Sequence, residues 1–239
     1  MSTDRRLLFH IGTHKTGTSS FQRSMIVNRD ALKAGGVHPL LDRDYRDGAY
    51  IPKRLGQHRT LGHLLVRPDL KTGARLMGTT PTFAPQQRRL RLDRLAARIR
   101  DLSEPAVLIS AEQFCLMRTD TEKADLGDFI AATGRRAETV CAFRDLEEWR
   151  ASWFAQAARW TYEGMEETPN LPPEQQMTAE WYFDTDAIRD FWRDFNLTEV
   201  AFDKSVDMVA RIYRAFGIDP SPLETGQRAN VRGKHPDPR

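Results

Sequence analysis

Short runs dominated by apolar residues recur along this chain and alternate with stretches of helical spacing, and that alternation constrains the fold more than any other feature. The runs are Leu7-Leu-Phe-His-Ile11, Ala106-Val-Leu-Ile109, Thr139-Val-Cys-Ala-Phe143 and Thr198-Glu-Val-Ala-Phe202. Helical patterns occupy about 17–33, 86–102, 122–132, 145–162, 186–195 and 205–216. Strands that are apolar throughout and separated by helices belong to parallel sheets covered on both faces. The expectation is an α/β fold with a central, mostly parallel sheet flanked by helices. In such folds ligands bind beyond the carboxyl ends of the strands, so the residues directly after 11, 109, 143 and 202 are where chemistry is sought.

Turn residues divide the remainder. Ala34-Gly35-Gly36 stops the first helical stretch, and Val37 to Leu40 reads as a further short strand. Residues 42–84 are rich in Arg, Asp, Gly and Pro and read as an irregular insertion with one short helix near 60–66. Pro105 ends the helical pattern before the second run, Gly134 ends the next helix, and Asp145-Leu-Glu-Glu148 has the form of a capping box. Residues 163–178 are acidic and proline-bearing, a candidate lid loop, and the tail from Ile218 to Arg239 holds four prolines. With 239 residues and no internal repeat, a single domain spanning 1–239 is expected.

Composition narrows the function classes. The chain has 36 basic and 33 acidic residues, and only seven of the basic residues are lysine. Arginine spread this evenly is not the clustered footprint of a nucleic-acid binder, so no nucleic acid is expected as partner. No apolar stretch approaches the roughly 20 residues of a membrane span, and the amino terminus lacks the pattern of a signal peptide, which points to a cytoplasmic protein. Cys115 and Cys141 each lie inside an apolar run, which excludes a disulfide scaffold and a cysteine-rich metal site.

The first strand end carries the densest signal. His10-Ile-Gly12-Thr13-His14-Lys15-Thr16-Gly17-Thr18-Ser19-Ser20 runs directly from strand to helix. A glycine-hinged turn feeding a helix N-terminus gathers backbone N–H groups around one point and places the helix dipole behind them, which makes an anion site. Thr16, Thr18, Ser19 and Ser20 add hydroxyls, and Lys15 adds a mobile charge. The spacing of Gly12 and Gly17 is that of the nucleoside-triphosphate loop G-x-x-x-x-G-K-[ST], but Thr18 stands in the lysine position and the lysine lies two residues before the second glycine. Such a loop suits one phosphate and a transferable group with no obligatory metal.

His10-x-Gly12-x-His14-Lys15-Thr16-Gly17-Thr18-Ser19-Ser20-x-Gln22 resembles the 5′-phosphosulfate loop of PAPS-dependent sulfotransferases, where PAPS is 3′-phosphoadenosine 5′-phosphosulfate. It is closest to the bacterial sulfotransferase-like and carbohydrate sulfotransferase groups. A second motif stands in register: Arg144 at a strand end and Ser152 eight residues on. The resemblance implies a P-loop nucleotide-hydrolase-like (sulfotransferase) fold and gives Arg144 and Ser152 the 3′-phosphate. A guanidinium offers a planar fork to phosphate, although Arg144 could instead pair with Asp145 or Glu148.

By the same resemblance Glu112, in Ser110-Ala-Glu112 after the second run, is the base that takes the acceptor's proton, with Ser110 as a neighbouring ligand; His14 is the competing base. His10, within the strand, reads as a buried structural histidine. Gly12, Thr13, Lys15, Thr16, Gly17, Thr18, Ser19 and Ser20 would bind the cofactor. Arg228 and Asn230 match the family's C-terminal loop over the nucleotide. Trp149, Trp153 and Trp160 read as core, whereas Trp181, Tyr182 and Phe183 could line an acceptor pocket.

The function implied is transfer of a sulfuryl group from PAPS, as co-substrate, to a hydroxyl of a carbohydrate or small metabolite, releasing 3′,5′-ADP. The alternatives are a kinase or NTPase acting with Mg-ATP, and a non-catalytic nucleotide-binding protein of the same fold. The sequence specifies neither the acceptor nor the oligomeric state.

Overall fold

The computed structural model describes residues 5–13, 16–42, 59–72, 75, 80, 82–157 and 180–226. Five strands, β1 (Arg6–Gly12), β2 (Val37–Pro39), β3 (Ala106–Ala111), β4 (Arg136–Phe143) and β5 (Leu197–Ala201), form one sheet in the order β2-β3-β1-β4-β5. Every pairing is parallel. The chain winds from β1 to one side through β2 and β3, then to the other through β4 and β5. The carboxyl end of β1 is therefore the topological switch point, where open α/β sheets bind ligands. The fold is the expected α/β arrangement, a central parallel sheet flanked by helices.

Alternation along the strands sorts the side chains into two cores. Leu7, Phe9 and Ile11 point into the larger one, and Leu8 and His10 to the opposite face. On that opposite face lie α1 (Thr18–Val27), α2 (Arg29–Ala34) and the last helix, Met208–Ala215, which contribute Phe21, Met25, Leu32, Ile212 and Tyr213. The larger core is covered by α3 (Arg59–Leu65), α4 (Pro85–Asp101), α5 (Asp120–Thr133), α6 (Leu146–Ala157), α7 (Glu180–Phe183) and α8 (Thr185–Trp192); the last helix, Met208–Ala215, is α9.

Most expected elements form within a residue or two of their expected bounds, with instructive exceptions. The stretch 17–33 is not one helix: it breaks at Asn28, whose amide donates to the Glu224 carbonyl at 2.9 Å and accepts from the Glu224 N–H at 2.8 Å. That strap ties the break to a residue 196 positions away in the chain. The helix expected from 205 starts at Met208, because Asp207 caps it by accepting from the Ala210 N–H at 3.0 Å. Strand β4 begins at Arg136, three residues earlier than the apolar run suggests, since it is paired with β1 from there.

The described part of the insertion is core rather than irregular excursion. Leu61, Leu64, Leu65, Val66 and Leu70 are fully buried, and α3 lies where the short helix is expected. A methyl on Gly62 would stand 2.8 Å from Gln113 Cβ, so α3 seats directly on the segment after β3. Arginines cap its carboxyl end: Arg75 donates to the His63 and Val66 carbonyls, and Arg88 to those of Leu64 and Leu65. Glu122, 1% exposed, joins α3 to α5 by accepting from the N–H groups of Arg67 at 2.7 Å and of Arg118 and Thr119 at 2.9 Å.

Candidate functional site

Three neighbouring strand ends meet at the switch point. Ile11 pairs with Ala111 and Gly12 with Ala142, so Glu112 leaves β3 on one side of the glycine loop and Arg144 leaves β4 on the other. The loop itself is anchored from within. Thr13 Oγ1 donates to the Ala142 carbonyl at 2.7 Å, and Thr16 Oγ1 to the Thr13 carbonyl at 2.6 Å. The Thr16 hydroxyl, expected to serve a ligand, is spent on holding the turn, as is that of Thr13. Gly17 begins α1 in the left-handed conformation, φ 87°, with no side-chain cap on the helix. Thr18 is 2% exposed and folds back over Gly12, and its Oγ1 has no hydrogen-bond partner. Ser19 is exposed and Ser20 half-buried at the mouth of the helix. His14 and Lys15 lie outside the described residues.

Beneath the loop sits a polar group that sequence reasoning divided between two roles. His10 Nδ1 and Ser110 Oγ are 2.8 Å apart, and Gln22 Nε2 donates to the same Ser110 oxygen at 3.2 Å. Ser110 is fully buried and thus belongs to this interior bridge between β1, β3 and α1, not to a ligand. His10 is the buried histidine expected; burial lowers its pKa to about 3, so it stays neutral across the physiological range. Glu112 opens a 3-10 turn (Glu112–Leu116) at the rim and is half-buried.

On the other flank Arg144 is engaged. Its Nη2 and Nε donate to Glu148 Oε2 at 2.6 and 3.0 Å, and its guanidinium lies 5.3 Å from the centre of the Phe202 ring. This is the Glu148 pairing that stood beside the phosphate role in the sequence. It also alters the capping box: the Glu148 N–H donates to Asp145 Oδ1 at 3.0 Å as expected, but the Glu148 carboxylate turns to Arg144. Lys204, after β5, donates to the same Oε2 at 3.0 Å. Ser152 lies one turn past Glu148 on α6, on the same face.

Lys204 went unnoticed in the sequence, although it stands three residues past a strand end, the zone that drew attention to Arg144. Tyr182 and Phe183, read as possible pocket lining, are instead 1% and 3% exposed and stack on Trp149 in the core. Trp149 and Trp153 are core as expected; Trp160 and the loop 163–178 lie outside the described residues, as do Arg228 and Asn230.

The path of the chain toward those last two residues is defined up to Gly226. Ser24 Oγ donates to the Glu224 carbonyl at 3.0 Å, and Thr225 Oγ1 donates to the cap residue Asp207. A methyl added at Gly17 would stand 3.9 Å from the Cβ of Met208, the residue after Asp207. The chain thus returns to the level of the glycine loop before residue 227. Among the described residues no cluster of three or more His, Cys, Asp or Glu is placed to hold a metal ion, and no helix is long and apolar enough to cross a membrane.

No family model matches the chain, and no curated protein matches it. Among solved structures it is similar to a gluconokinase from Sinorhizobium meliloti 1021, at 14% identity over 90% of each chain with a TM-score of 0.39. A likeness of that strength bears on neither activity nor substrate.

Proposed function

We propose that the chain is a sulfotransferase that moves a sulfuryl group from PAPS to a hydroxyl of a carbohydrate or small-metabolite acceptor and releases 3′,5′-ADP. The observation that carries this reading is Thr18: in the position where a nucleoside-triphosphate loop keeps its lysine, a threonine packs onto Gly12. The loop therefore has a strand-to-helix turn suited to phosphate with no lysine at the position that serves a triphosphate. The positions of Glu112 and Arg144, on opposite flanks of that turn, give separate sides for acceptor and nucleotide.

In this reading the acceptor oxygen bonds to sulfur as the bond from sulfur to the bridging phosphate oxygen breaks, and the electron pair leaves with 3′,5′-ADP. Glu112, or His14 in its place, takes the acceptor's proton. Lys15 and the loop N–H groups neutralise charge on the oxygen that bridges sulfur and phosphorus and on the non-bridging oxygens beside it. Arg144 and Ser152 hold the 3′-phosphate, with Arg228 and Asn230 following from the chain end that returns beside Met208. The protein would work in the cytoplasm and need no metal.

A second reading, a kinase acting with Mg-ATP, is favoured by Glu112, which directly follows the strand beside β1 and could serve as the carboxylate that P-loop NTPases use for magnesium. Thermal unfolding with 3′,5′-ADP, 5′-AMP and Mg-ATP separates the two. A ligand at 100 times its dissociation constant adds about 2.7 kcal/mol, or about 5–10 °C for a chain of this size. A shift with 3′,5′-ADP well beyond that with 5′-AMP supports sulfuryl transfer. A shift with Mg-ATP alone replaces it with the kinase.

A further inference from the structure

We infer that Glu148 occupies, in the ligand-free protein, the place of the nucleotide's 3′-phosphate, and that Lys204 is a further residue that binds this phosphate. The inference rests on the PAPS reading. Two cations from different strand ends, Arg144 after β4 and Lys204 after β5, converge on a single oxygen, Glu148 Oε2, at 2.6 and 3.0 Å. Both cations share one oxygen of a single carboxylate, whereas a phosphate dianion carries a charge for each and offers each its own oxygen.

The other nearby carboxylates are committed elsewhere: Asp145 Oδ1 accepts from the Glu148 N–H, and Asp203 Oδ1 accepts from the N–H and hydroxyl of Ser205. Glu148 also stands between Arg144 and Ser152 in the chain, one turn before Ser152 on α6, so a phosphate held by both would compete with its carboxylate for Arg144.

The exchange is physically easy. Arg144 is held, its side chain only 10% exposed and resting on Phe202, whereas Glu148 and Lys204 are 53% and 64% exposed. Ion pairs so open to water are weak, so Glu148 can swing away while Arg144 stays in place. With no ligand bound, the carboxylate keeps two like charges together; with phosphate bound, it is repelled. The same two cations hold the Glu148 carboxyl below the usual glutamate range, Arg144 contributing most.

Isothermal titration of 3′,5′-ADP and 5′-AMP into wild type, Lys204→Met, Lys204→Arg and Glu148→Gln tests this at fixed ionic strength. Lys204→Met is expected to weaken 3′,5′-ADP about threefold and leave 5′-AMP, which lacks the 3′-phosphate, unchanged. Lys204→Arg restores binding, and Glu148→Gln tightens 3′,5′-ADP by a similar factor. Wild-type binding of 3′,5′-ADP with all variants unchanged, or equal losses for both nucleotides in Lys204→Met, overturns the inference and leaves the PAPS reading standing. Failure of wild type to bind 3′,5′-ADP overturns both.

Discussion

Replacing Gly12 by alanine puts a methyl group where Thr18 already stands. The new Cβ would lie 2.6 Å from Thr18 Cγ2 and 2.8 Å from Thr18 Cβ, and closer still to Oγ1. Both branches of Thr18 and its Cβ collide, and since the Cβ does not move with the rotamer, no rotamer relieves the clash and the start of α1 must move away from β1. That helix is fixed further along: Phe21 is fully buried against His10, and Gln22 is tied to Ser110. Overpacking of this kind costs about 1–3 kcal/mol, or about 2–10 °C in Tm for a domain of this length.

Because Gly12 has no positive φ, the cost is steric and not conformational, which a double-mutant cycle can show. Thr18→Ala removes Oγ1 and Cγ2 and leaves only the Cβ contact, so Gly12→Ala in that background should cost about 1 kcal/mol less than in wild type. Urea unfolding of the four proteins measures both quantities. A Gly12→Ala protein within about 0.5 kcal/mol of wild type, or strictly additive effects, would refute the close approach of loop and helix.

Four further outcomes are expected. Glu122→Ala strands several buried N–H groups between α3 and α5 and should lower stability by about 3 kcal/mol in urea unfolding; a loss under 1 kcal/mol would count against Glu122 as the tie. His10 has its pKa depressed by burial from 6.5 to about 3, so the unfolded chain binds the extra proton first; stability is full above pH 6.5 and falls toward pH 3. From this group alone that is about 2 kcal/mol between pH 7 and pH 5, and His10→Gln should flatten the slope. Burial pushes the Cys115 thiol up to about 12 and Cys141 well above its usual range, so neither should react with a disulfide reagent at pH 8 until urea unfolds the chain; fast labelling of native protein would contradict the packing. Under the PAPS reading, Lys15→Ala should lower kcat far more than affinity for 3′,5′-ADP, and Arg144→Ala the reverse; equal losses in both quantities for Lys15→Ala would remove its role in the departing charge.

The α/β fold was legible because its signals are local. Leu7–Ile11 and Ala106–Ile109 are too short and too apolar for anything but buried strands, Gly36, Gly134 and Gly217 adopt the positive φ their stop positions imply, and the leucines of α3 mark one helical face even inside a stretch read as irregular. The turn from β1 into α1 was legible for the same reason, since two glycines at its ends favour a tight turn.

What the sequence determined by itself is the order of elements and the end of the sheet where the polar residues gather, because both follow from backbone periodicity and from strands that must all run one way. Only the tertiary structure decided which polar groups are free to act. Ser110 and the hydroxyl of Thr16 looked available and are consumed inside, Asn28 at a helix break is tied to Glu224, and Lys204, unremarkable in the sequence, was brought to Glu148 and Arg144. Hydrogen-bond partners and ion pairs separated by scores of residues depend on strand order and register. No local pattern encodes these, because each is set by burial of the cores beneath.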